Sequence, residues 1–432
     1  MRKLYTILCG LLLALVMLVG TISTFDFDAT YSEIERRKLR TTPLMTFSAL
    51  ADGSFFSDYG AYFADTFPGR EGLLAQNTTL NGFYYFGGMA QEGEASLILD
   101  FSSNGANQGE ALKDDKPTES TPVETQPDLP AEQLGSVLLV GDSAFDVPVA
   151  NRENIIGYAA AASAIADTLG GEVRTYVMPV PNSAEFYTPS EYHSGASSQA
   201  AMFDLCRKNL GENAVYVDAY AALEAHKSEY LYFRTDHHWT HLGAYYAYTA
   251  FCGEAGLAPV TLSRFETGQW DGFVGSMYTY AANYPQAQVL KDNPDTVHYW
   301  KPYVDYSCYY YSDTTLSDPY PIGVISGVGD DVSNKYLTFM GGDHPVTIVQ
   351  TDSSGPCILV IKESYGNALI SWLTGHYSKI ILIDPREYFG VNGDIDLADF
   401  AREQGVEECL IINYPMMLNS TSYIKHLENL TN

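Results

Sequence analysis

The densest group of side chains that could do chemistry is the run Arg234-Thr-Asp-His-His-Trp-Thr-His241. It stands directly before a helical apolar pattern that begins near Leu242, so we expect it to form a loop. In extended backbone, residues two apart point to the same side, which allows Asp236 and His238 to project together. A carboxylate that holds one ring nitrogen of a histidine leaves the other nitrogen available as a general base. The run therefore predicts a catalytic Asp–His pair, and a polar surface loop is the structural alternative.

A candidate nucleophile stands at the end of an apolar run at 357–361, which reads as a strand. Ser364 lies where this strand turns into a predicted helix. Parallel α/β sheets bind ligands at this edge, and the N–H groups of a helix start can stabilise an oxyanion there. Serine is also a common N-cap residue, which is the structural alternative for Ser364.

A second serine carries a familiar motif. The sequence Gly141-Asp-Ser143 follows the apolar run Val137–Val140 and resembles the Gly-Asp-Ser block of ordinary SGNH and GDSL esterases. In those enzymes the histidine follows near the C-terminus as Asp-x-x-His, but no Asp lies three residues before the last histidine, His426. Ser143 is therefore the alternative nucleophile, and Ser364 is the preferred one.

The same histidines offer a metal site as the chemical alternative. His237 and His241, four residues apart at a helix start, could join Asp236 on one face. No further cluster of ligands with suitable spacing accompanies them, and the cysteines after the N-terminal segment are scattered with no CxxC pair. We therefore predict neither a metal nor a cofactor, and we interpret most of these cysteines as small core residues.

The N-terminus predicts export. Arg2 and Lys3 precede an apolar stretch at 4–22, close to the roughly 20 residues that a membrane-spanning helix needs. Because positive charge stays on the cytoplasmic side, the remainder of the chain is expected outside the cell membrane. No small-x-small cleavage site follows, so residues 1–24 are predicted to be a single-pass signal anchor, with a cleaved secreted form as the alternative.

Composition limits the class of protein. The chain has 432 residues, 46% of them hydrophobic, which suffices for a large core. A formal net charge of -29 argues against nucleic acid as a partner. Residues 102–135, rich in Asn, Gly, Lys, Asp, Glu, Pro, Thr and Ser, are predicted to be a flexible loop or linker. They separate an N-terminal part, 25–101, from a catalytic domain, 136–432.

Beyond the linker, short apolar strands alternate with helical patterns. This alternation predicts an α/β fold with a parallel sheet covered by helices on both faces. We expect strands at 137–140, 173–180, 214–217, 357–361 and 380–383, and helices at 155–168, 197–209, 242–253 and 367–373. The region from Phe265 to about Gln350 is rich in tyrosine and turns, and predicts an antiparallel β-rich insertion.

The aromatic residues of this insertion suggest a different function class. Aromatic faces suit the apolar surfaces of sugars, so a glycan-binding protein without catalysis is an alternative. More often such a run is β-structure with buried rings. The residues concerned are Tyr303, Tyr306, Tyr309, Tyr310, Tyr311, Tyr320, Trp270 and Trp300.

Taken together, these motifs resemble the DHHW family, which is similar to the alginate O-acetylation proteins AlgX and AlgJ. The resemblance is most specific in Thr235-Asp-His-His-Trp239 and Lys362-Glu-Ser-Tyr-Gly-Asn-Ala368, and further blocks lie at 31–37, 63–70, 273–278 and 383–386. It implies an SGNH-hydrolase-like three-layer α/β/α fold in which Asp-x-His precedes the serine in sequence. Ser364 would be the nucleophile, His238 the general base and Asp236 the residue that orients it. Backbone at Ser364 and Tyr365, with the side chains of Asn367 and Asn182, would supply the oxyanion donors.

The resemblance also implies an activity. An acyl group would pass to the serine and then to a hydroxyl of a cell-surface or secreted polysaccharide, which makes the chain an O-acetyltransferase, or to water, which makes it a carbohydrate acetylesterase. Such a covalent relay needs no cofactor. A membrane-bound O-acyltransferase of the MBOAT type is the acyl donor that the resemblance suggests.

Overall fold

A computed structural model describes residues 31–32, 37–38, 42–43, 45–46, 55, 59, 62–63, 66, 130–329 and 332–431. The chain divides into two compact units, one of residues 1–90 with Thr279–Ala281 and one of residues 91–278 with 282–432. The predicted anchor, 1–24, lies outside the described residues. None of the helices that are described is long and apolar enough to cross a membrane.

In the first unit, two short strands pair antiparallel: β1 (Tyr31–Ser32) and β2 (Arg37–Lys38). Tyr59, Tyr62 and Phe63 are helical. Thr66 closes a turn through the hydrogen bond from its N–H to the carbonyl of Tyr62.

The second unit is built around one large sheet of eight strands. In space the strands follow the order β11-β10-β12-β14-β13-β15-β6-β7. Their bounds are β6 (Arg174–Pro179), β7 (Ala214–Tyr216), β10 (Tyr306–Tyr311), β11 (Tyr320–Pro321), β12 (Val346–Thr351), β13 (Cys357–Lys362), β14 (Lys379–Ile383) and β15 (Val406–Asn413).

The predicted parallel sheet is wrong in part, because the sheet is mixed. Strands β14, β13, β15, β6 and β7 run parallel to one another. Strands β12, β10 and β11 extend it with antiparallel pairs. The antiparallel β-structure predicted for this insertion is confirmed, and three of its strands extend the main sheet. The apolar run of β12 looks the same in sequence whichever way it pairs.

Two smaller sheets lie beside the large one. Strands β3 (Ala131–Leu134), β4 (Val137–Val140) and β5 (Ser143–Phe145) form an antiparallel meander. Strands β8 (Glu266–Phe273) and β9 (Asp295–Lys301) form a separate two-stranded antiparallel sheet. The expectation that Val137–Val140 belongs to the main sheet is thus wrong, although its strand is present. Strand β3 falls inside the segment predicted to be a linker, whose residues 102–129 lie outside the described part.

Helices pack on both faces of the main sheet, because each of its two apolar clusters contains helical residues. The helices with described bounds are α1 (Arg152–Leu169), α2 (Ala184–Tyr187), α3 (Gln199–Asn209), α4 (Ala219–Ala225), α5 (His241–Ala255), α6 (Ser276–Ala281), α7 (Gln288–Asp292), α8 (Ser364–Asn367), α9 (Ile370–Leu373), α10 (Pro385–Val391), α11 (Leu397–Gln404), α12 (Pro415–Leu418) and α13 (Thr421–Asn429). The helix predicted at 367–373 is two short helices, because N–H groups of Leu369 and Trp372 bond to carbonyls only three residues back.

Successive residues of β13 show how the core divides. Ile358 and Val360 pack into one buried apolar cluster, and Leu359 and Ile361 into the other. This alternation follows from the two-residue period of a strand, and it explains why β13 reads as an unbroken apolar run. The five described cysteines are unpaired and buried, which confirms their interpretation as core residues: Cys206, Cys252, Cys308, Cys357 and Cys409.

Candidate active site

The structure brings Asp236, His238 and Ser364 into one hydrogen-bonded chain. Nδ1 of His238 lies 2.6 Å from Oδ1 of Asp236, and Nε2 lies 2.8 Å from Oγ of Ser364. The serine is 126 positions away in sequence, so only the fold joins it to the histidine.

The proton positions follow from the partners. An ionised carboxylate only accepts hydrogen bonds, so Nδ1 of His238 carries the proton and donates it to Asp236. Nε2 is then the acceptor for the hydroxyl proton of Ser364. This tautomer is the one a general base needs in order to activate a serine.

Asp236 is held by backbone groups as well as by the histidine. Its Oδ2 accepts the N–H of Ser276 at 2.7 Å, and its Oδ1 accepts the N–H of His238 at 3.1 Å. The side chain is fully buried. Gly275 must be glycine here, because a Cβ at that position would lie 2.2 Å from Cβ of Asp236. The backbone of 275–276 thus fits directly against the carboxylate.

A second buried carboxylate fixes the loop that carries the pair. Asp295 accepts the N–H of Thr235 at 2.8 Å and its hydroxyl at 2.7 Å. Arg234 donates to Asp295 through Nε and to Asp142 through Nη1 at 2.6 Å. Strand β9 and the Gly-Asp-Ser turn therefore hold the loop from two sides.

The ring of His238 stacks on Tyr336, a residue that no sequence motif indicated. The two ring centroids are 3.8 Å apart and the planes 12° apart, and the hydroxyl of Tyr336 donates to the carbonyl of Ser364. Nε1 of Trp239 donates to the carbonyl of Tyr365 at 3.0 Å. Both contacts link the histidine loop to the serine turn, so the two halves of the site are braced together.

Glu363 caps the helix that begins at Ser364. Its Oε2 accepts the N–H of Tyr365 at 2.9 Å, and its Oε1 accepts the N–H of Tyr414 at 3.2 Å. Oε2 also lies 3.3 Å from Oγ of Ser364. Burial raises the pKa of Glu363, while Arg386 and the two N–H groups oppose that shift. The buried carboxylate of Glu363 thus lies next to the hydroxyl of Ser364.

A ring of four charges supports the same strand end. Lys362 pairs with Asp343 at 2.8 Å and with Asp384 at 3.3 Å, and Arg386 bonds to both carboxylates. Burial alone would raise the pKa of Asp343, but the charges of Lys362 and Arg386 hold it below its usual range. Arg386 therefore takes part in this ring of charges through both carboxylates.

The predicted oxyanion donors are engaged in different ways. The N–H of Tyr365 donates to Glu363, Nδ2 of Asn367 to Asp343 at 2.9 Å, and Nδ2 of Asn182 to the carbonyl of Asp146 at 2.7 Å. Asn182 lies just beyond β6, at the same sheet edge as the nucleophile. The N–H of Ser364 stands at the first position of α8, where a helix supplies no acceptor of its own.

Ser143 lies in the small antiparallel sheet. Its hydroxyl bonds to Asp142 at 3.3 Å, and within the described part of the chain no histidine contacts it. The N–H of Ala144 donates to the carbonyl of Arg234 at 2.8 Å. The structure therefore brings the hydroxyl of Ser364, and not that of Ser143, into hydrogen-bond distance of His238.

The ligands of the alternative metal site are not gathered together. His241 is fully buried, accepts the N–H of Trp300 at Nδ1 and bonds Ser371 through Nε2, and burial lowers its pKa. Asp236, His237 and His238 do have ligand atoms within 4.8 Å of one another. A metal ion among them would have to replace the hydrogen bond between Asp236 and His238.

Comparison with known proteins agrees with these motifs. The model of the DHHW protein family matches residues 35–98 and 103–383. A DHHW family protein from Eubacterium siraeum is 29% identical, with a TM-score of 0.61, and the match covers 69% of this chain and 97% of that one. Bacillus cereus PatB1 with a sulfonyl adduct is 15% identical over 66% and 98%, with a TM-score of 0.54, which concerns the fold alone.

The O-acetyltransferase domain of Pseudomonas putida AlgJ is also similar, at 16% identity over 68% of this chain and 96% of that one, with a TM-score of 0.38. No curated protein matches the chain in sequence.

Proposed function

We propose that this chain, which belongs to the DHHW family, transfers O-acyl groups through a covalent intermediate on Ser364. The observation that carries the proposal is the hydrogen-bonded chain from Asp236 through His238 to Ser364. His237 also contacts a serine and Asp236, but both contacts use the same ring nitrogen, Nδ1, so this ring does not connect the two groups as His238 does.

The reaction has two halves. His238 takes the proton of Ser364 as Oγ attacks the acyl carbonyl, and Asp236 stabilises the imidazolium that forms. His238 then returns that proton to the leaving oxygen, and the acyl group remains as an ester on Ser364. A sugar hydroxyl or water, deprotonated by His238, attacks this ester and restores the free serine. No cofactor takes part in this scheme.

The order of the residues along the chain suits an SGNH-like fold with rearranged blocks. The nucleophile follows β13 at the centre of the large sheet, and the Asp-x-His pair comes earlier in sequence. The Gly-Asp-Ser turn then has a structural role, because it braces the catalytic loop through Arg234.

The acceptor that we propose is a cell-surface or secreted polysaccharide, with the chain tethered to the membrane outside the cell. Residues 1–24 and the resemblance of the motifs support this setting. An MBOAT-type membrane protein is the proposed acyl donor. Co-purification of the full chain from detergent-solubilised membranes tests that partnership, and recovery of the chain without any multi-spanning acyltransferase argues against it.

Hydrolysis of p-nitrophenyl acetate by the full chain tests the nucleophile. We expect Ser364→Ala and His238→Ala to lose activity, with Ser143→Ala as the matched serine control that keeps it. Mass spectrometry of acid-quenched enzyme should find one acetyl group on the peptide that contains Ser364. Loss of activity in Ser143→Ala alone would instead identify Ser143 as the nucleophile, as in ordinary Gly-Asp-Ser esterases.

The choice between transferase and esterase depends on the fate of the acyl group. Adding an oligosaccharide acceptor to the same assay should divert acetyl groups from water to sugar if the chain is a transferase. Free acetate as the sole product, at every acceptor concentration, would favour the acetylesterase. Full biological function in Ser364→Ala would instead favour the non-catalytic glycan-binding alternative.

A further inference from the structure

Three aromatic rings contact one another in a row at the antiparallel end of the large sheet; one pair is stacked and the other is tilted by 38°. Tyr310 and His344 have centroids 4.1 Å apart and planes 3° apart. Tyr320 is paired with Tyr310 on the neighbouring strand β11, and the centroids of the two rings are 5.0 Å apart. Tyr320 is 58% exposed and forms the outer end of this aromatic column. The column is Tyr320, Tyr310 and His344.

Strand register places the aromatic column on the face of the sheet that carries the catalytic loop. Tyr310 pairs with Thr347, Thr347 with Leu382, and Leu382 with Val360. Directly paired residues point to the same face. Val360 belongs to the apolar cluster that contains Trp239, the neighbour of His238. The column and the catalytic loop therefore lie on one face.

The column also lies near the same edge as the nucleophile. Tyr311 pairs with Val346, Val346 with Ile383, and Ile383 with Ile361, which is three residues before Ser364. Three strand spacings of about 4.8 Å separate β10 from β13, or about 14 Å. That distance fits a few units of an extended polymer.

A polar link joins the column to the nucleophile turn. His344 follows Asp343, which accepts Nζ of Lys362 at 2.8 Å and Nδ2 of Asn367 at 2.9 Å. Lys362 precedes the nucleophile turn, and Asn367 ends its helix. Burial, reinforced by the charge of Lys362, lowers the pKa of His344 to about 4, so this ring is neutral at pH 7.

We propose that the aromatic column is an acceptor subsite that binds a polysaccharide without net negative charge and directs it to Ser364. The inference rests on the proposed acyl-transfer function and names its substrate class. Aromatic faces carry negative charge density and pack against the C–H surfaces of sugars. A net charge of -29 repels a polyanion, which leaves neutral and basic glycans as the occupants.

The same strand offers a matched control. Tyr309 neighbours Tyr310 but points to the opposite face, and it is 37% exposed. If exposed tyrosines bound sugars wherever they occur, Tyr309 and Tyr320 would be equivalent. If the position at the catalytic face matters, only Tyr320 contributes to binding.

Isothermal titration of the full chain tests the subsite, with chitohexaose and cellohexaose as neutral probes and polygalacturonate as the anionic probe. Tyr320→Ala should raise Kd for the bound neutral probe by about 3- to 10-fold, the loss of one stacked ring. Tyr309→Ala should leave Kd unchanged. Unchanged Tm in both variants shows that neither substitution acts through unfolding.

An equal increase in Kd in Tyr320→Ala and Tyr309→Ala would overturn the proposal. Failure of the wild type to bind either neutral probe would also overturn it. Tighter binding of polygalacturonate than of the neutral probes would overturn the substrate class. Ser364→Ala separates this inference from the proposed function. That variant should bind glycan as wild type does while losing hydrolysis of p-nitrophenyl acetate, so either result can fail without the other.

Discussion

Replacing Glu363 by glutamine should lower the activity and should also change how the stability of the protein depends on pH. The contacts of 3.3 Å from Oε2 to Oγ of Ser364, and of 2.8 Å from Oγ to Nε2 of His238, place the carboxylate within about 6 Å of the base. At an effective dielectric constant of about 20, unit charges about 6 Å apart interact by about 3 kcal/mol. Loss of this attraction to the imidazolium would slow the reaction by roughly 100-fold.

The same buried carboxylate should make wild-type protein less stable as pH rises. Burial raises the pKa of Glu363 in the folded state above its unfolded value, so the folded protein binds the extra proton. Wild type therefore loses stability between the unfolded and the folded pKa, by about 1.4 kcal/mol for each unit of difference. Glutamine does not titrate and avoids that loss. Its amide does oppose one of the two N–H donors, at a cost of about 1–3 kcal/mol at every pH.

The assay is kcat/KM for p-nitrophenyl acetate between pH 5 and 9, with urea unfolding at the same pH values. Glu363→Gln should lower kcat/KM and move the midpoint of the acid limb to lower pH. Glu363→Asp, which keeps the charge, should leave that midpoint in place. Glu403→Gln, at an exposed glutamate, is the matched control. Activity of Glu363→Gln within a few-fold of wild type would refute the electrostatic reasoning.

Three further outcomes follow from the same contacts. Asp236→Asn should lower kcat by about 10⁴-fold with little change in Tm, because an amide favours the wrong tautomer of His238. Steady-state kinetics measure this effect, and a decrease in kcat of less than tenfold would contradict the triad. Lys362→Met should cost about 3 kcal/mol in urea unfolding, because it leaves the fully buried Asp384 with one cation fewer; an unchanged midpoint would show that the ring of charges is dispensable. Thiol reagents should label no described cysteine in the native protein, since burial raises the pKa of Cys206 and Cys308 to about 12; labelling before unfolding would refute this.

Local patterns were sufficient to predict several individual helices and strands. The helix expected at 242–253 is present as His241–Ala255, with Thr240 as its N-cap. The strand expected at 357–361 is present as Cys357–Lys362. Both lie in stretches that are rich in apolar residues. Spacing also sufficed to align Asp236 with His238, because two residues of extended backbone fix their common direction.

Sequence patterns could not reveal which strands pair with one another or which distant residues come into contact. Val346–Thr351 reads as a strand, but the direction of its neighbour depends on a chain reversal that no residue of the strand encodes. Gly141-Asp-Ser143 resembles an esterase motif in sequence, whereas its contact with Arg234 through Asp142 is visible only in the structure. Tyr336 carries no motif, since its role arises only from the ring of His238 meeting it across the fold.

Three buried carboxylates determine the geometry of this site, and backbone N–H groups hold all three. Asp236 accepts from Ser276, Asp295 from Thr235, and Glu363 from Tyr365 and Tyr414. A buried anion held in this way needs no mobile counter-ion, and each bond orients a specific peptide plane. The three carboxylates thus fix the loop of Asp236 and His238, strand β9 and the turn at Ser364 relative to one another. Preorganisation of that kind is what an acyl-transfer site requires, because the donors must be in place before charge develops.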